Sequence, residues 1–130
     1  MPAKKTNIKV PTKYTSIILD CSGSMNLVRA ATISGFNEYV DIIKKSDSDE
    51  IKQFISLIQF RSRLYNVFDR ATKEIYWNQP LSELKHIDYK DYQPDGGTAM
   101  YDAVGYTIDK LRYTTDFINK NNAYLIIIIS

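Results

Sequence analysis

The run Tyr124-Leu125-Ile126-Ile127-Ile128-Ile129 is the feature that most restricts the fold of this chain. Six successive apolar residues, four of them isoleucine, give both faces of an extended segment nothing polar to turn toward water, so the segment needs cover on both sides. That is the habit of a strand inside a parallel sheet. Two further apolar runs, Tyr14 to Leu19 and Phe54 to Phe60, read as strands of the same sheet. Between them Ile33, Phe36, Val40 and Ile43 recur at helical spacing through about Lys45, with Gly35 a weak point in that helix. A second helical pattern places Met100, Val104, Ile108 and Leu111 on one face from about Thr98 to Tyr113. Strands alternating with helices imply an α/β class with a mostly parallel sheet and helices on both faces.

The remaining segments are less regular. Leu64 to Phe68 follows the second strand too closely for a crossover helix and is expected to pair with it antiparallel at the sheet edge. From Asp69 to Gly97 the pattern is irregular, with a short helix expected near Leu81 to Lys85. Tyr76, Trp77, Tyr89 and Tyr92 in this stretch serve either to pack the loop onto the domain or to meet a partner. Ser46-Asp47-Ser48-Asp49-Glu50 is acidic but lacks a closing ligand pattern, which makes it a solvated turn. His86 has no companion His or Cys and is expected at the surface.

With 130 residues and 44% hydrophobic residues the chain suits a single core. Residues 1–13 are expected to form a tail and 14–130 the domain. Met1-Pro2-Ala3-Lys4-Lys5 leads into polar sequence rather than a signal-peptide core, and no apolar run approaches the length of a membrane span. A cytoplasmic protein is therefore expected, and one cysteine, which cannot form an internal disulfide, fits a reducing compartment. The net charge of +2 comes from basic residues interspersed with acidic ones, which leaves no stripe for nucleic acid.

The chemistry is concentrated where the first strand runs out. In Asp20-Cys21-Ser22-Gly23-Ser24 the side chains at i, i+2 and i+4 share one side of an extended chain, so Asp20, Ser22 and Ser24 can converge while Cys21 faces away. Three oxygen donors suit a hard cation, and with only one of them charged the ion would stay electron-poor enough to take a carboxylate from outside. An ordinary turn is the weaker alternative here, since Ser, Gly and Asp also crowd turns for their own hydrogen bonds. A second oxygen-rich loop, Pro94-Asp95-Gly96-Gly97-Thr98, delivers a hydroxyl as the second helix begins. Asp95 is expected either beside this site or in an ordinary Pro-Asp-Gly turn, and Asp102, in the helix's first turn, either hydrogen-bonds toward the first loop or stabilises the positive helix end, and is not counted as a ligand.

A DxSxS sequence at the end of the first strand followed by a Thr in a later loop resembles the metal-ion-dependent adhesion site of von Willebrand factor type A domains. The resemblance implies that Asp20, directly or through water, with Ser22, Ser24 and Thr98, holds Mg²⁺ or Mn²⁺. It further implies a doubly wound sheet and one more Asp ligand from the loop after the next buried strand. Here Tyr124 to Ser130 matches that strand and its closing Ser, and the expected Asp, like the family's C-terminal strands and helices, falls beyond Ser130. In the family's strand order this strand lies inside the sheet. An open outer edge would then invite self-association or a complementing chain.

The expected function is a non-enzymatic, metal-dependent adaptor that captures an Asp or Glu of a protein partner. One rival is a Mg²⁺-dependent phosphoryl-transfer or hydrolytic enzyme with Asp20 as nucleophile, against which stands the absence of a GxxxxGK[ST] loop or a Ser-His elbow. Another is a metal-free structural subunit that assembles by sheet pairing.

Overall fold

The structure, a computed structural model, describes residues 10–60, 72–94 and 100–130. The elements are β1 (Thr12–Asp20), a 3₁₀ turn (Gly23–Val28), α1 (Arg29–Lys44), β2 (Lys52–Phe60), β3 (Thr72–Pro80), a second 3₁₀ turn (Leu81–Glu83), α2 (Met100–Thr114) and β4 (Asn122–Ile129). Among the described residues the sheet has four strands in the order β3-β2-β1-β4. β1 runs parallel to both neighbours, in register from Thr12 opposite Lys52 and Asn122 to Leu19 opposite Gln59 and Ile129. The class is therefore α/β with a mostly parallel sheet. β1 begins at Thr12, two residues ahead of the apolar run, because Pro11 and Asn121 backbone carbonyls already accept from Lys52 and Thr12.

Burial follows strand alternation. Ile17 and Leu19 of β1 join Ile55 and Leu57 of β2 and Ile33, Phe36 and Val40 of α1 in one cluster. Ile18 and Phe60 join Ala103 of α2 in another, with Val104 and Ile126 packed against it. Since neighbouring residues of a strand point to opposite faces, the two clusters occupy different faces of the sheet. No helix among the described residues is long and apolar enough to cross a membrane.

Two expectations need correction. The antiparallel partner of β2 is Thr72–Pro80, inside the stretch expected to be irregular, whereas Leu64 to Phe68 lies outside the described residues. β3 escapes notice because it is an edge strand with a bulge: its register shifts between Ile55 and Ile58, and Asn78 takes a left-handed φ of 46°. The Ser56 hydroxyl makes this conformation tenable, accepting from the Asn78 backbone N–H at 2.8 Å and donating to Asn78 Oδ1 at 3.1 Å. Pro80 is tolerated because an edge position spares it a ladder donor.

The second correction concerns α2. Its fully buried residues are Ala103, Thr107 and Leu111, while Val104 is half-buried and Ile108 is 38% exposed. Thr107 fills a core position because its hydroxyl donates to the Ala103 carbonyl at 2.8 Å, which hides its polarity inside the helix. The Met100 side chain lies outside those described. The expected helix near Leu81 is a single 3₁₀ turn, and Ser46 to Glu50 is a turn, closed by a bridge between Ser48 and Ile51.

Candidate metal site at the end of the first strand

In-register parallel strands bring their carboxyl ends together. Asp20 closes β1 beside Phe60 of β2, and continuation of the register past Leu19 and Ile129 sets Ser130 next to Asp20. From β1 the chain passes through α1 to β2 on one side, and later returns through α2 to β4 on the other. The ends of β1 and β4 therefore flank the point where strand order reverses, the place where open α/β sheets leave a crevice.

Within that crevice Asp20 is 5% and Ser22 3% exposed, whereas Ser24 is open to solvent. The Asp20 carboxylate accepts from the Ser22 backbone N–H on Oδ1 and from the Ser130 hydroxyl on Oδ2, each at 2.8 Å. The hydroxyls of Ser22 and Ser24 lie 3.2 Å apart. Cys21 points away and is buried in the cluster with α1, as alternation requires.

This donor set fits a small hard cation. Adjacent ligands of an octahedral Mg²⁺ at its usual bond length of about 2.1 Å stand about 3.0 Å apart, close to the separation of the two hydroxyls. Each Asp20 oxygen also keeps a lone pair beyond the hydrogen bond it accepts. Among the described residues no group of three or more His, Cys, Asp or Glu side chains could hold a metal ion, and two of the three donors described at this site are hydroxyls. Thr98 and Asp95, and the side chain of Asp102, lie outside the described residues.

The site is braced by residues to which the sequence assigned no role or an open one. The Tyr92 hydroxyl donates to the Asp20 backbone carbonyl at 2.5 Å, and its ring is fully buried in the α1-side cluster. Burial first, and then the nearby Cys21, pushes its phenol up to about 12, so it stays a donor well into alkaline pH. Arg29 donates through Nε to the Tyr92 carbonyl at 2.8 Å and through Nη2 to the Tyr89 carbonyl, with its guanidinium 4.5 Å from the Tyr89 ring centre. Gln59 donates to the Asp91 carbonyl, and Asn26 to the Pro94 carbonyl at 3.1 Å. Ser130 is the closing Ser that the resemblance set after the last strand. These other bonds join residues more than thirty positions apart, and no local pattern encodes them.

The tyrosine-rich stretch thus packs largely inward, with Tyr89 left half-exposed. His86 is at the surface, where its Nε2 pairs with Asp41 Oδ1 at 2.7 Å. An exposed pair of this kind adds little stability. In comparisons with known protein families, curated proteins and solved structures, the chain matches none.

Proposed function

We propose that the chain is a metal-ion-dependent protein-binding module, a non-enzymatic adaptor of the cytoplasm resembling von Willebrand factor type A domains. The observation that carries this reading is the pair of Ser22 and Ser24 hydroxyls, 3.2 Å apart beside the buried carboxylate of Asp20 at a strand-order reversal. Asp20, Ser22 and Ser24 would hold Mg²⁺ or Mn²⁺, with Thr98 a fourth ligand taken from the sequence resemblance. A bound ion held by one carboxylate and neutral hydroxyls supplies residual positive charge, which favours an Asp or Glu presented by a protein partner. The two clusters built on alternate residues of β1 support the doubly wound form of the fold, with a helix over each face. Its single cysteine, buried, suits a reducing compartment.

A second reading has its own support. Both Asp20 oxygens already accept hydrogen bonds, and the two serines bond to each other, so the loop is satisfied without an ion. That favours a metal-free structural subunit.

Mn²⁺ titration by calorimetry separates the two. Saturable binding that disappears in Asp20→Ala and weakens about tenfold or more in Ser22→Ala and Thr98→Ala, with thermal stability retained, is the expected result. Identical titrations of all four proteins would favour the structural subunit. Hydrolysis of a phosphomonoester by the purified chain, abolished by Asp20→Ala, would instead establish the enzyme.

A further inference from the structure

Residues 84–94 form neither helix nor strand, so their backbone groups need partners from elsewhere in the fold. α1 and the turn before it supply them in order. Lys44 Nζ donates to the Leu84 carbonyl at 2.9 Å. Asn37 exchanges two bonds with Ile87, donating from Nδ2 to its carbonyl at 2.9 Å and accepting its N–H on Oδ1 at 2.7 Å. Arg29 follows with its bonds to the carbonyls of Tyr89 and Tyr92, and Asn26 ends the series at Pro94. Arg29, Asn37 and Lys44 are eight and seven residues apart, which keeps them along one side of the helix. The segment therefore runs antiparallel to α1, each rung tying a side chain to backbone.

The rungs are not equivalent. Lys44 and Asn37 hold the part remote from the oxygen cluster. Arg29 holds Tyr92, and Tyr92 donates to the backbone carbonyl of Asp20, the residue whose carboxylate anchors the cluster. Rotation of Tyr92 is blocked by its full burial, so the position of its hydroxyl is set by where its backbone is held. That backbone is held by Arg29 at its own carbonyl and by Gln59 at the preceding one. A side chain that fixes the carbonyl of Asp20 also limits the peptide plane leading to Cys21 and Ser22, from which the first hydroxyl projects.

We propose that Arg29 and Tyr92 are positioning residues of the Asp20-Ser22-Ser24 cluster, acting in series: Arg29 fixes Tyr92, and Tyr92 fixes the backbone of Asp20. The role assigned to the cluster rests on the ion-binding reading above. The positioning itself belongs to the metal-free chain and is measurable there.

The test pairs amide hydrogen exchange on the metal-free full chain with Mn²⁺ titration, using Tyr92→Phe, Arg29→Met, Arg29→Lys and the remote rung Lys44→Met. Tyr92→Phe removes one oxygen and keeps the ring, so the core stays filled. Its amides from Cys21 to Met25 should exchange about tenfold faster, and Mn²⁺ should bind several-fold more weakly. Arg29→Met should do the same, and Arg29→Lys should restore part of the protection. Lys44→Met should speed exchange near Leu84 and leave both the cluster and Mn²⁺ affinity at their original values. Wild-type exchange at Ser22 in folded Tyr92→Phe overturns the proposal. So does a Lys44→Met effect on the cluster as large as that of Arg29→Met, because the ladder would then be acting only through general stability. If the unaltered chain binds no Mn²⁺, the ion reading fails by itself, and the exchange data still decide the positioning.

Discussion

The two flanks of the sheet are built to different standards. On the β3 flank the edge strand is bulged at Asn78, ends in Pro80 and carries Lys73 and Glu74. Glu74 is bound by Lys110 and by the Tyr106 hydroxyl at 3.0 Å, and Trp77 donates to Thr114 at 3.1 Å. Beneath it Leu81, Leu84, Ile87 and Tyr92 are all buried with Ile55 and Leu57. On the β4 flank eight residues carry no charge and no proline, and Leu125 and Ile128 are 43% and 42% exposed. Beside β4 a wholly apolar groove of about 140 Å³ opens between Ile17, Gly35, Phe36, Tyr39, Ile127 and Ile129. Charges, bulges and prolines are the means by which edges avoid pairing with other chains, and one flank has them all while the other, among the described residues, has none. No side chain of β4 is fully buried, although Ile126 and Ile127 pack against the two core clusters.

The largest test of this contrast is stability. Leu57→Ala empties a fully buried position on β2 and should cost about 2–5 kcal/mol in urea unfolding. Ile128→Ala on β4 removes atoms already half in water and should cost about 1 kcal/mol or less. Equal losses would mean that β4 is as well covered as β2.

Association is the next largest. An uncharged edge rich in isoleucine is a template for strand addition, so sedimentation at concentrations on the order of tens of micromolar should detect self-association of this chain, unless a complementing chain is supplied. Ile128→Lys places a charge at a half-exposed position of β4 and should shift the chain toward monomer. A stable monomer of the unaltered chain under these conditions would break the comparison, since the β4 edge would then be protected in some other way.

Alkaline pH should strain the β3 flank. Burial raises the phenols of Tyr76 and Tyr92, that of Tyr92 to about 12. Below about pH 9 these groups are neutral in the folded and the unfolded chain, and stability is unaffected. Above it the unfolded chain releases protons that the folded chain retains, so stability falls as pH rises toward 12, by up to about 1.4 kcal/mol per pH unit for each such tyrosine. Tyr92→Phe should flatten the urea-midpoint profile between pH 10 and 12. An unchanged slope would place the Tyr92 hydroxyl in contact with water.

The contrast between flanks also explains what the sequence discloses. β1, β2 and β4 announce themselves as continuous apolar runs, and Ile33, Phe36 and Val40 mark the buried face of α1 by spacing alone. Asp20 and Ser22 are legible because extended chain puts residues i and i+2 on one side, whereas Ser24 lies in the 3₁₀ turn Gly23–Val28 and meets Ser22 through that turn and not through strand alternation. β3 is hidden, since a bulge and a terminal Asn-Gln-Pro erase the alternation that would reveal it. Thr107 is hidden in the same sense, because its hydroxyl is used up inside the helix while its spacing neighbour Ile108 faces outward. The braces of the site are hidden more deeply: Arg29 meets the Tyr92 carbonyl across 63 positions of sequence, and Tyr92 meets Asp20 across 72, distances at which only the completed fold creates proximity.

The smallest test sits where the groove beside β4 meets α1. A Cβ built on Gly35 would meet no atom within 4 Å, and the same is true of Gly105 on α2. Gly→Ala at either place should therefore add about 0.5–1 kcal/mol through helix propensity alone, with no clash to offset it. The two sites part company with a longer side chain. Gly35→Leu can reach the apolar walls of Phe36 and Ile127 and should gain further stability, whereas Gly105 does not line that groove and its Leu variant should gain no more than its Ala variant. Urea midpoints measured at low protein concentration, where association is weakest, decide the comparison. A loss for Gly35→Leu alongside a gain for Gly35→Ala would mean that the groove is already filled when the chain is folded in solution, and the β4 flank would no longer count as the open side of the sheet.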